Sequence, residues 1–116
     1  MSDRELLELA AKVPGVQELI DDLWETRRAM WSPLTDDGDA LRLAVKLRIG
    51  IEINERSIVA SWVDGGYEPN DVYEYPESIQ NDDFDIVHVN HDKATRRAIV
   101  RAAAEIGRQM QEGGAA

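Results

Sequence analysis

His88, His91, Asp85 and Asp92 are the one group of side chains in this sequence with the look of a metal site. Successive side chains of a strand point to opposite faces, so two histidines three positions apart share an ion only where the strand ends between them. A partly buried or cap-adjacent histidine is the simpler expectation at both positions. Asp36, Asp37 and Asp39 suggest calcium, but a calcium loop also needs a glycine at its sixth position and a closing glutamate, and neither stands at the required spacing. A nuclease would need clustered carboxylates and, commonly, a lysine to meet the developing charge, and the acid-rich part of the chain has no lysine. No Ser/His/Asp order, phosphate loop or nucleotide fingerprint is present. With no cysteine, thiol nucleophiles, disulfides and zinc-thiolate sites are excluded. The expectation is a protein that is not an enzyme and needs no cofactor or metal.

The strongest chemical signal is charge. The net charge is -10, and no lysine or arginine occurs between Arg56 and Lys93, where nine acids fall. Asp64, Glu68, Asp71, Glu74, Glu77, Asp82, Asp83 and Asp85 are interleaved with Trp62, Tyr67, Tyr73, Tyr75 and Phe84. In extended chain Asp83 and Asp85 would lie on one side about 7 Å apart, a rhythm like that of charges along a nucleic-acid strand. Aromatic side chains supply contact area at low entropy cost, so the mixture suits a protein interface. Such a field repels nucleic acid and anionic membranes and attracts basic surfaces. The candidate partner-binding residues are Asp64, Tyr67, Glu68, Asp71, Tyr73, Glu74, Tyr75, Glu77, Asp82, Asp83 and Asp85; an ordinary solvated loop is the competing explanation.

The elements that must position these residues read as follows. Ser2-Asp3-Arg4-Glu5 is a capping-box pattern ahead of a short helix to about Val13, which Pro14-Gly15 interrupts. Apolar residues from Val16 to Trp31 recur at nearly helical spacing, and Pro33 ends that helix. Thr35 or Asp36 caps a third helix running to about Leu47, whose Leu41 and Val45 lie on one side and Leu43 and Leu47 on another, so it should be the most buried helix. The period then changes to two. Ile49 to Ile53 is a strand, Asn54-Glu55 a turn, and Ile58 to Val63 a second, central strand apolar on both faces, with helices above and below it. Tyr67 to Asp83 reads as a long connection with a short edge strand around Val72 to Tyr75, and Phe84 to Asn90 as a further strand. The last helix spans about Asp92 to Gln111, with Ile99, Ala102, Ala103, Ile106 and Met110 on one face and Arg97, Arg101 and Arg108 on the other. That arginine stripe reads as a solvated face, supported by Glu105 at i+4 from Arg101 and three before Arg108, or as a balance for the acidic segment.

Together these elements predict a single α/β domain over 1–112, a small, mainly antiparallel sheet of three to four strands sandwiched between helices as α/β/α layers, with a disordered tail over 113–116. The opening residues carry acids among leucines and no basic n-region, unlike a signal peptide, and no apolar run approaches a bilayer span. A cytoplasmic location is expected.

The stretch Trp31-Ser32-Pro33-Leu34-Thr35-Asp36-Asp37-Gly38-Asp39-Ala40-Leu41-Arg42-Leu43-Ala44-Val45-Lys46-Leu47 resembles the signature of the phage ABA sandwich domain, a group of small bacteriophage and prophage proteins. The stretch from Ala94 to Gly107 and the opening Asp3 to Ala10 are similar to the same family, and the matched parts cover rather under half the chain. The resemblance implies an α/β/α sandwich encoded by a phage. It implies no agreed activity and no catalytic residues; the stretch from Val16 to Met30 stands where relatives carry a glycine-rich hairpin.

From the acidic surface and that resemblance, the expected function is stoichiometric binding to a basic, normally nucleic-acid-binding groove of a host protein or defence complex, in the manner of an anti-CRISPR or other counter-defence inhibitor. Direct nucleic-acid and membrane binding are not expected. Two alternatives stay open: a homo-oligomeric phage accessory or assembly protein, a homodimer included, whose acidic loop keeps it soluble; and a sponge for a small anionic signalling nucleotide held by Arg97, Arg101 and neighbouring arginines.

Overall fold

A computed structural model of the chain describes residues 1–63, 70–80 and 85–113. Along them run α1 (Asp3–Ala11), α2 (Val16–Arg27), α3 (Asp37–Leu47), β1 (Gly50–Ile53), β2 (Ile58–Trp62), β3 (Asn70–Glu74), β4 (Glu77–Gln80), β5 (Ile86–Val89) and α4 (His91–Gly113). Of the tail expected over 113–116, Gly113 is the last residue of α4, and 114–116 lie outside the described residues.

Local chemistry sets the helix ends. Ser2 Oγ accepts the Glu5 N–H at 3.2 Å and caps α1. Gly15 precedes α2 at φ +92°, a left-handed conformation that costs glycine little. Helix α2 stops short of the expected Met30 because Arg28 turns left-handed and its N–H closes on the Trp24 carbonyl at 2.9 Å. Trp31 then folds back against the core. Asp36 is the cap of α3, its Oδ2 accepting the Asp39 N–H at 2.8 Å. Asp39 is itself buried, and its carboxylate accepts from the Ser32 N–H and from Arg42. Asp36→Ala is expected to lower stability by about 1 kcal/mol, seen as an earlier thermal melt. An unchanged melt would show that this cap contributes nothing.

Four helices and two small antiparallel sheets make up the described α/β fold. Strands β1, β2 and β3 form one sheet in that order, and β4 and β5 pair as a separate hairpin. β2 is central, as its apolar sequence predicts, and the edge strand expected near Val72 is β3. The segment 77–80, expected to be part of a connection, is a strand instead: it has little apolar periodicity of its own and is ordered by pairing with β5.

Registers fix which side chains share a face. Ile51, Ala60 and Val72 stand in one row across the sheet and face α4 with Ile58 and Trp62. The helix cover expected on both faces of β2 is found on this one: Ile58, Ala60 and Trp62 are buried, whereas Val59 and Ser61 between them are only half-buried.

The most buried helix is α4, not α3. Ala94, Ala98, Ile99, Val100, Ala102, Ala103 and Ala104 are all buried, so α4 is enclosed by α1, by α3 and by the sheet. Alanines on nearly every side let three neighbours approach one helix, which an amphipathic pattern of large residues would not permit. Met110, expected on the buried face, is exposed. In α3 the side carrying Leu43 and Leu47 meets the core, and the side carrying Leu41 and Val45 remains 63% and 70% exposed.

Candidate functional site

Strand alternation sorts the acidic segment into two populations. Asn70, Val72 and Glu74 of β3 point towards α4, while Asp71 and Tyr73 point away from it. The inward Glu74 is largely buried and joins Arg101, with Arg97 Nε at 3.6 Å. Arg101 Nη1 also donates to the Tyr73 carbonyl at 2.7 Å, and Arg97 Nη1 to Asp3 Oδ1 at 2.8 Å. The arginine stripe is therefore not a solvated face: Arg97 and Arg101 clamp α4 to β3 and α1. The Arg101 to Glu105 pairing is replaced by Arg108, which holds both Glu105 and Glu112.

The outward population is different. Gly50, Ser61 and Asp71 form one row on the outer face of the sheet, and Glu52, Val59 and Tyr73 form the next. Asp71, Glu52 and Tyr73 are exposed, and neither row contains a lysine or arginine. Val59 beside Tyr73 is a β-branched and aromatic cross-strand pair, which gives the face an apolar centre between two carboxylates. Tyr75, 70% exposed, follows β3, and buried Pro76 turns the chain into β4.

The hairpin carries the remaining described candidates. Glu77 accepts from Asn90 Nδ2 at 2.7 Å and lies 3.8 Å from Lys93 Nζ, so its charge is partly met by the start of α4. Asp85 is exposed immediately before β5. Asp64, Tyr67, Glu68, Asp82 and Asp83 lie outside the described residues. Glu52 is a member of the outer face that charge counting over the acidic segment missed; the period-two pattern of 49–53 is the signal that places it.

His88 and His91 have separate surroundings. His91 Nε2 lies 2.8 Å from the Glu55 carbonyl, and His88 Nδ1 is buried without a hydrogen-bond partner. Among the described residues no three potential metal ligands converge, and no described helix is long and apolar enough to cross a membrane.

Two carboxylates of α4 titrate low. The hydrogen bond from Arg108 holds Glu105 below its ordinary 4.5 against the opposing effect of burial. Asp92 lies below 3.8, chiefly through the backbone N–H of Lys93. A carboxyl depressed in the folded state contributes stability above its unfolded pKa and loses it as pH falls through the folded value. The difference in melting temperature between the wild type and Glu105→Gln should therefore be present at neutral pH and close as pH falls below 4.5. A difference that is constant down to strongly acidic pH would contradict the ion pair.

The fold and surface define a class: a small acidic α/β domain with one sheet face that no described helix covers and that presents carboxylates and tyrosine. No family model, no curated protein and no solved structure matches the chain.

Proposed function

We propose that the protein acts without catalysis, by stoichiometric binding of a basic protein surface to the open outer face of the three-stranded sheet. The observation that carries this reading is the composition of that face: Glu52, Asp71 and Tyr73 exposed around Val59, without a basic residue in either row. A tyrosine anchor with flanking unpaired acids is the chemistry that recognises arginine- and lysine-rich surfaces, where charge raises the association rate and the aromatic supplies the buried contact. Glu74 and Glu77 serve the fold more than the partner, since bases of α4 already meet them. Asp71, Tyr73 and Tyr75 are the primary contacts, and Asp85 with the hairpin supplies a second edge.

In its concrete form the partner is a nucleic-acid-binding complex of a host cell, with the protein working in the host cytoplasm as a phage counter-defence inhibitor. The ABA sandwich resemblance supports the phage origin, and the acidic face supports the target chemistry. The test is capture from host lysate by the immobilised chain, with and without Asp71→Lys and Tyr73→Ala. Recovery of a nucleic-acid-binding protein that the double variant loses is expected. Equal recovery by both would sink the proposal.

A further inference from the structure

The two edges of the three-stranded sheet are treated differently. The turn bond from the Asn54 N–H to the Ser57 carbonyl, 2.8 Å, sets the alternation of the β1–β2 ladder. Gly50 and Glu52 accordingly turn their backbone groups towards β2, and Ile51 and Ile53 turn theirs out of the sheet. On the far side the same alternation points the Tyr73 carbonyl outward from β3, where Arg101 takes it at 2.7 Å. The β3 edge is blunted by a charged side chain, and among the described residues nothing does the same for the β1 edge.

The β1 edge is also apolar. Between β1 and α3, over α4, runs a groove of about 360 Å³ whose apolar walls are Ala40, Leu41, Ile51, Ile53 and Ile99, with Asp37 and the polar start of α4, His91, Asp92, Thr95 and Arg96, completing its lining. Ile53 is 61% exposed, and Leu41 with Val45 one turn on continues the apolar strip along α3. Unpaired strand groups beside exposed Leu, Val and Ile are the combination that natural edges avoid unless something covers them.

We infer that the cover is a second copy of this chain, joined by antiparallel pairing of the two β1 strands across a two-fold axis. Such an axis, normal to the sheet, brings β1 against itself in the antiparallel sense and keeps the apolar faces on one side. That condition allows only registers in which residues of equal parity meet. Centred on Ile51, the register sets Ile51 opposite its own mate and Gly50 opposite Glu52, and brings the Ile53 N–H to the Ile49 carbonyl of the second copy, the Ile49 N–H being already held by the Ala44 carbonyl at 2.9 Å. Centred on Glu52, it would set two glutamates face to face, which like-charge repulsion disfavours.

Charge supports the same occupant. Arg48 precedes β1 and Glu55 follows it, so antiparallel pairing lays the basic end of each strand beside the acidic end of the other. Leu41 and Val45 of the two α3 helices then flank the axis. The product is one six-stranded sheet, β3-β2-β1-β1-β2-β3, whose outer face carries two copies of Glu52, Asp71 and Tyr73 in one surface. The dimer does not depend on the binding role of that face, and the substitutions that test it leave Asp71 and Tyr73 intact.

The experiment uses the full chain in sedimentation equilibrium at micromolar concentration. The wild type should weigh twice 13.0 kDa. Ile53→Glu and Val45→Glu should each weaken association by about a hundredfold or more while retaining the wild-type circular dichroism, because an unpaired buried carboxylate opposes the contact. Met30→Glu, at an exposed position remote from β1, should stay dimeric. The chain has no cysteine, so Ile51→Cys should give a covalent dimer with a short bifunctional thiol cross-linker; the pair separation of about 5.5 Å expected for a hydrogen-bonded antiparallel pair is within the reach of such a reagent. A monomeric wild type would overturn the proposal. So would a dimer indifferent to both glutamate substitutions, or one that persists while Ile51→Cys fails to cross-link.

Discussion

Replacing Gly107 with alanine is expected to destabilise the fold by roughly 2–3 kcal/mol and to lower the melting temperature by about 10 °C. In an exposed helix the same change would stabilise by about 1 kcal/mol, because glycine is the poorer helix former. At this position the sign reverses for a geometric reason. A Cβ on Gly107 would lie 2.2 Å from the Leu9 carbonyl oxygen and 2.9 Å from its carbon, so α1 and α4 could not keep their crossing. The obstacle is backbone and cannot rotate away. A melt at or above that of the wild type would mean that α1 does not cross α4 at Gly107.

The second large effect concerns binding. Asp71→Lys together with Tyr73→Ala is expected to weaken the captured complex by about a hundredfold or more, since central aromatic anchors and complementary charges each contribute roughly 1–2 kcal/mol. Stability should hardly change, because both side chains are exposed and neither serves an ion pair within the described structure. Glu74→Gln is the informative contrast. It should loosen the contact of α4 with β3 and lower the melting temperature, because Arg97 and Arg101 lose their shared carboxylate, yet leave affinity near the wild-type value. If Glu74→Gln weakened binding as much as the double variant, the partner would be reading the α4 side of β3 and not the outer face.

Much of the fold was legible in the sequence because its signals are local. Ser2 and Asp36 announce their helices by capping chemistry, and the alternation of 49–53 with the apolar run of 58–63 yields β1 and β2. What escaped is what depends on distant partners. The exposure of Leu41 and Val45 cannot be read from a helical wheel that is apolar on two sides. The burial of α4 on nearly every side comes from its alanines, which are too small to dominate a periodicity. Strand β4 exists through its register with β5 and carries one large apolar residue, Ile79, that points to solvent.

The candidate surface was legible as a charge and not as a geometry. Counting acids between Arg56 and Lys93 treats Asp71 and Glu74 alike, although they stand on opposite faces of β3, one exposed and the other held by two arginines. Glu52, outside that interval, joins the face through the sheet. The free edge of β1 was invisible for the same reason, since an edge is defined by the strand that is not beside it.

The most direct test is the affinity of the chain for its captured basic partner, measured by calorimetry over a range of salt concentrations with nucleic acid as competitor. Binding should weaken steeply as salt rises, nucleic acid should displace the chain, and Asp71→Lys with Tyr73→Ala should flatten the salt dependence and lower the affinity together. An affinity independent of salt, unaffected by nucleic acid and equal in the double variant would contradict recognition through the acidic sheet face.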